Sequence, residues 1–128
     1  MSKKVIFYVG LPGSGKTYHA KKATKKLKGF LIDDINSSIQ MKTALEDHDT
    51  VIITSPKLCH KADREFGIKI IKEVSEDIEI EWIFFENDPE KCLRNIAFRN
   101  DGRLVENYIQ YLTKIYRPPE NALKIWQP

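Results

Sequence analysis

Val5-Ile6-Phe7-Tyr8-Val9-Gly10-Leu11-Pro12-Gly13-Ser14-Gly15-Lys16-Thr17 is the stretch on which the reading of this chain turns. Its first five residues are apolar and rich in β-branched and aromatic types, the pattern of a strand buried on both faces. Gly10 to Thr17 then satisfies G-x-x-x-x-G-K-[ST] at every fixed position. The glycines let the backbone take positive φ and approach phosphate closely. Amides of the loop and of the helix that follows point at negative charge. Gly10, Leu11, Pro12, Gly13, Ser14, Gly15, Lys16 and Thr17 are therefore assigned to the phosphates of a nucleotide. Lys16 is expected to be partly exposed and to place its charge on the β- and γ-phosphates, and Thr17 offers a hydroxyl to Mg²⁺.

Working outward, Lys16 to Leu27 carries Ala20, Ala23, Thr24 and Leu27 at helical spacing, and Gly29 is predicted to end the helix. Phe30-Leu31-Ile32 reads as a second strand, ending in Asp33-Asp34, and residues near 36–46 as a helix. Val51-Ile52-Ile53 is a third buried strand. Residues near 58–76 read as a helix with Phe66, Ile70, Ile71 and Val74 on one face, and Ile80 to Phe85 as a fourth strand. Helices are expected over Asp88–Phe98 and Val105–Tyr116, joined by Arg99-Asn100-Asp101-Gly102-Arg103, with an edge strand over Ala122–Trp126. Strands alternating with helices predict an α/β fold, a central parallel sheet flanked by helices, with ligands at the carboxyl ends of the strands.

At 128 residues and 41% hydrophobic, the chain suits one domain, residues 1–128, around one core. A net charge of +3 is too small to argue alone for nucleic acid. Two distant cysteines, Cys59 and Cys92, read as reduced thiols. No apolar run reaches membrane-spanning length. An intracellular, cytoplasmic protein, monomeric or weakly oligomeric and compatible with phage origin, is expected.

Three features narrow the chemistry. No Asn-Lys-x-Asp tetrapeptide is present to read guanine, which points to ATP with Mg²⁺. The third strand runs into Thr54-Ser55-Pro56 without the carboxylate that motor ATPases need there. The second strand ends in Asp33-Asp34, where a carboxylate can face the γ-phosphate and take a proton from an attacking hydroxyl. Either aspartate could instead cap the next helix. Arg94, Arg99 and Arg103 surround the predicted turn between two helices, the arrangement of a short helical lid that brings cations onto a transferring phosphoryl group.

The Gly10–Thr17 loop, Asp33-Asp34, Val51-Ile52-Ile53-Thr54-Ser55, and Cys92-Leu93-Arg94-Asn95 with Arg99, Gly102-Arg103, Val105 and Tyr116 together resemble the small phage-type P-loop kinases. The kinase domain of phage polynucleotide 5′-hydroxyl kinase is the nearest named type. The resemblance implies a P-loop NTPase/kinase fold, Asp33 as general base toward a 5′-hydroxyl, and lid arginines on ATP. It departs after the paired aspartates, where Ile35-Asn36-Ser37-Ser38 holds no arginine for an acceptor phosphate.

The expected function is thus an ATP-dependent kinase, with Lys16, Asp33, Arg99, Arg103 and Arg94 as catalytic candidates. The acceptor is a hydroxyl or a phosphate, with a nucleic-acid 5′ end or a nucleotide as candidates. A nucleotide or nucleoside kinase and a catalytically silent ATP-binding module remain open. Lys57, Lys61 and Arg64 follow the third strand near a possible acceptor. Lys21, Lys22, Lys25, Lys26 and Lys28 form either a solvated helix face or a nucleic-acid patch. His19, His48 and His60 lack metal-ligand spacing with the cysteines.

Overall fold

A computed structural model describes residues 3–35, 37–99 and 105–126. Four strands, β1 (Lys4–Val9), β2 (Phe30–Ile32), β3 (Thr50–Thr54) and β4 (Glu79–Phe84), form a parallel sheet in the order β2-β3-β1-β4. Phe7 of β1 stands beside Ile53 of β3 and Trp82 of β4. The helices are α1 (Lys16–Leu27), α2 (Ser38–Asp47), α3 (Lys61–Val74), α4 (Pro89–Arg99) and α5 (Glu106–Ile115).

The two faces of β1 explain the layers. Val5, Phe7 and Val9 point into the larger core, with Met41 and Leu45 of α2, Ile70 and Ile71 of α3, Cys92 and Ile96 of α4, and Ile109 and Leu112 of α5. Ile6 and Tyr8 point the other way, with Ile52, Phe85 and Ala20 of α1. Apolar residues on both sides make β1 the central strand, as the unbroken hydrophobic run predicts. Losing one such buried aliphatic side chain typically costs about 2–5 kcal/mol.

Several details differ from expectation. Helix α1 keeps its expected bounds, but Lys28 rather than Gly29 takes the left-handed capping conformation (φ 53°), and the Gly29 amide donates to the Thr24 carbonyl at 2.9 Å. Gly29 is needed for a different reason, since a Cβ there would lie 2.9 Å from the Thr50 carbonyl. A single 3₁₀ turn, Pro56–Cys59, capped by the Ser55 hydroxyl, separates β3 from α3. On α3 it is Gly67, against the Phe7 ring, that faces the sheet, and Phe66 is exposed. The last apolar segment makes one isolated parallel bridge, Phe85 to Leu123, beside β4 rather than a strand.

The carboxyl ends of the strands are tied together beneath this edge. Tyr116, fully buried, donates its hydroxyl to the Phe85 carbonyl (2.5 Å) and lies 3.2 Å from that of Val9. Glu86 accepts from Lys91 (2.8 Å), Lys124 (3.3 Å) and the Ile125 amide (3.1 Å). The bond from Lys91, more than any other influence, holds the Glu86 carboxyl below its ordinary pKa. That cluster moors residues 123–126 beside the loop after β1. Among the described residues no helix is long and apolar enough to cross a membrane.

Candidate functional site

The loop from Gly10 to Gly15 joins the centre of the sheet to α1. Among the described residues, Gly13 (φ 86°) and Gly15 (φ 91°) are the two glycines in the left-handed region. Gly13 is constrained twice, because a Cβ there would also meet the Cys92 carbonyl oxygen at 2.5 Å. Gly15 caps α1 without a side-chain hydrogen bond, and the first turn holds no acid. A Cβ at Gly15 would meet nothing within 4 Å. No side chain caps the amides at this helix start, which leaves them to an anion.

Lys16 departs from expectation. It is buried rather than partly exposed, and its Nζ donates to the Leu11 carbonyl at 3.3 Å, folding back into the loop's concavity. The Ser14 hydroxyl is buried behind the loop and has no hydrogen-bond partner among the described residues.

On one side of the loop lies a cleft of about 260 Å³, lined by Pro12, Lys16, Thr17, Asp33, Thr54, Ser55, Pro56, Val105 and Tyr108. Asp33 reaches it from the end of β2, and Thr54 from the end of β3 donates to the Asp33 carboxylate at 3.4 Å. Neither aspartate caps α2. Ser37 does, its hydroxyl accepting from the Gln40 amide at 3.2 Å. Asp34 instead pairs with Lys57 (3.2 Å), and its carbonyl accepts from Gln40. Burial pushes the Tyr108 phenol above its ordinary pKa, so it enters the cleft as a neutral hydroxyl.

On the other side lies a larger cavity of about 620 Å³, bounded by Gly13, Ser14, Gly15, Tyr18, His19, Lys22, Asn95, Phe98, Arg99 and Trp126. Asn95 joins its walls, donating to the Gly13 carbonyl (3.1 Å) and to the Trp126 carbonyl (2.9 Å). One amide of α4 thus fixes the phosphate loop and the terminal segment together. The Lys22 ammonium sits 5.4 Å from the Tyr18 ring centre.

Both thiols lie in the core cluster below the loop, Cys59 after the cleft and Cys92 behind Gly13. Burial raises each to about 12, against a smaller opposing pull from Lys16.

The sequence-predicted residues do not all meet. Lys16, Thr17 and Asp33 share the cleft, while Arg99 lines the cavity. Arg94 is exposed on α4 and lines neither. Arg103, with the rest of the predicted lid turn, and Asn36 lie outside the described residues. The acceptor candidates after β3 are engaged locally: Lys57 with Asp34, Lys61 with Glu65, and Arg64 with the Leu58 carbonyl (2.7 Å). Thr54, Ser55, Tyr108, Tyr18, Phe98 and Trp126 were not singled out from sequence as functional. Ser55 and Thr54 were signalled only by their place at a strand's carboxyl end, and the aromatics by no sequence pattern.

The Thr17 hydroxyl offers a hard oxygen donor at the cleft, a donor that fits Mg²⁺.

Known proteins agree with this architecture. No protein-family profile matches the chain. It is 32% identical over 119 residues, 86% of each chain, to the uncharacterized protein R277 of Acanthamoeba polyphaga mimivirus. The chain belongs to the family of that viral protein. Its fold is similar to a gluconokinase from Sinorhizobium meliloti 1021, with a TM-score of 0.66 at 12% identity, covering 99% of this chain and 84% of that one. It is also similar to a fungal RNA kinase, with a TM-score of 0.61 at 15% identity, covering 92% and 67%. The chain has the P-loop kinase fold, a parallel sheet flanked by helices.

Proposed function

We propose that this chain is an ATP-dependent phosphotransferase that moves the γ-phosphate to an acceptor hydroxyl held beside Asp33. One observation carries the reading: Lys16, Thr17 and Asp33 line one cleft at the mouth of the phosphate loop. A silent nucleotide module would not need a carboxylate at that place.

The α1 amides and Lys16 bind the phosphates, Lys16 exchanging its 3.3 Å contact with Leu11 for a charged oxygen. The Thr17 hydroxyl would hold Mg²⁺, which would supply neutralisation of the phosphate oxygens when bound. Asp33, oriented by Thr54, accepts the proton of the acceptor hydroxyl. The acceptor oxygen forms its bond to the γ-phosphorus, the bridging P–O bond breaks, and ADP leaves. The cavity of Tyr18, Phe98 and Trp126 takes the adenine, and Arg99 on its rim clamps the phosphates. Arg94 and Arg103 complete the lid arginines.

For the acceptor, a polynucleotide 5′-hydroxyl follows from the resemblance to phage-type kinases, and a fold likeness to an RNA kinase is in keeping with it. A nucleoside or nucleotide is the second reading, favoured by the modest cleft of about 260 Å³ with the Tyr108 ring as one wall. The chain reads as one domain, monomeric or weakly associated, working in the cytoplasm.

The test is transfer of label from γ-labelled ATP to 5′-hydroxyl oligonucleotides, nucleosides, monophosphates and sugars, alongside calorimetric titration of ATP. Lys16→Ala is expected to lose most ATP affinity or all turnover while keeping its fold. Unchanged affinity and activity in that variant would remove the central claim.

A further inference from the structure

Charge is distributed unevenly in this molecule. Residues 16–28 contain six lysines and no acid, so they carry +6 in a chain of net charge +3, leaving −3 on the remainder. Five of these, Lys21, Lys22, Lys25, Lys26 and Lys28, are exposed on one helix, and among the described residues none of them forms an ion pair. Elsewhere some lysines are ion-paired, as with Lys3–Asp49, Lys4–Glu81 and Lys57–Asp34, and the exposed lysines that are not paired among the described residues, Lys42, Lys69, Lys72 and Lys114, are scattered over three helices rather than gathered on one. Three large aromatics lie open at the loop end of this stripe: Tyr18 (65% exposed), Phe98 (71%) and Trp126 (73%).

We propose that the outer face of α1 is a docking surface for a single-stranded polynucleotide. Its phosphates would run along the lysines, and its first base would compete with the adenine of ATP for the aromatic end, so ATP should weaken binding without abolishing it. From Tyr18 to Lys28 the helix rises about 15 Å, enough for about four phosphates at duplex-like spacing. Cationic track plus aromatic platform is the chemistry of sequence-tolerant single-strand binding.

An anionic membrane would also attract lysines, but the geometry favours the strand. A helix lying on lipid turns an apolar face outward. Here the apolar side of α1, with Ala20 and Ala23, is spent on the sheet, and the aromatics rim a concavity rather than a protruding edge. The surface shares no lining residue with the Asp33 cleft, so it is a place to hold a strand and not the transfer site.

The experiment is fluorescence anisotropy of a labelled oligothymidylate with the full chain, with and without saturating ATP–Mg²⁺. Four phosphate contacts predict a log–log salt slope of about −2.8, or about 50-fold weaker binding at about 200 mM than at about 50 mM salt. Lys21→Gln/Lys25→Gln/Lys26→Gln should raise Kd at least about tenfold at the lower salt and flatten the slope by about 2. Each single substitution should flatten it by about 0.7, and the corresponding arginine triple should restore binding. ATP affinity of the glutamine triple should be unchanged, so a fault here is separable from a fault in the nucleotide reading. Absence of binding at low salt, an unaltered slope in the glutamine variants, or complete displacement by ATP would each overturn the proposal. So would stronger capture by phosphatidylserine vesicles than by the oligonucleotide.

Discussion

The two sides of the phosphate loop are built from different chemistry. One side is a cleft of about 260 Å³ with a carboxylate, three aliphatic hydroxyls and a phenol: Asp33, Thr17, Thr54, Ser55 and Tyr108. The other is a cavity of about 620 Å³ with three aromatics and an arginine: Tyr18, Phe98, Trp126 and Arg99. The first can move a proton and hold hydroxyls. The second can stack a flat ring and meet phosphate. The loop between them is shared, and this division assigns a role to each side before any ligand is bound.

The largest expected effect tests the hydroxylic side. Asp33→Asn should lower the transfer rate by about 10²- to 10⁴-fold, as loss of a general base does, with ATP affinity nearly intact. Single-turnover assays with a calorimetric ATP titration check both. An active variant would erase the catalytic half of the comparison. Asp34 would be a poor substitute, since it is committed to Lys57.

Next comes the shared wall. Gly13→Ala adds a Cβ at φ 86°, 2.5 Å from the Cys92 carbonyl. Both faults act together and should cost about 2–4 kcal/mol of stability, read by denaturant titration. Gly15→Ala meets only the backbone penalty, because space is open there, and should cost less.

The aromatic side is tested more gently. Trp126→Ala should raise KM for ATP about tenfold, within the 1–3 kcal/mol typical of a stacked base, and leave acceptor KM unchanged. Tyr108→Ala should do the reverse. If both variants shift the same constant, the two sides are not separate.

A test by pH concerns the floor beneath both, and per pH unit it is small. Cys59 and Cys92 are raised to about 12, well above the unfolded thiol near 8.5. A raised folded pKa contributes stability that is whole below the unfolded value and lost as pH rises through the folded one. Between about pH 9 and pH 12 the protein should lose up to about 1.4 kcal/mol per pH unit per thiol. Melting temperatures across that range test it. Alkylation at pH 8.5 should also stay far slower than in the unfolded chain.

The fold was legible because its cues are local. Val5–Val9 is apolar throughout, so it had to be a strand covered on both faces, and α1 follows from the loop that opens it. The misplacements share one cause, which is that burial depends on what arrives from elsewhere. Phe66 fits the apolar stripe of α3, yet Gly67 faces the sheet because the Phe7 ring, stacked 4.2 Å from Trp82, occupies the space. Lys28 could not be read as left-handed, because Gly29, the residue suited to that conformation, is held instead by its close approach to the Thr50 carbonyl.

Sequence by itself determined the phosphate loop, the parallel α/β order and the carboxylates at the end of β2, because each depends on neighbours in the chain. Tertiary structure supplied the partners of the two aspartates, giving Asp33, preferred already by its place directly after the buried strand, to Thr54 and the cleft, and Asp34 to Lys57. It also brought Trp126 and Phe98 to the loop, through Glu86 mooring the terminal segment and Asn95 bridging Gly13 to Trp126. These contacts join residues 31 to 82 positions apart, and no local pattern encodes them. A side chain's partner across such a distance is set by the packing of the sheet, where the carboxyl ends of separate strands converge on one edge.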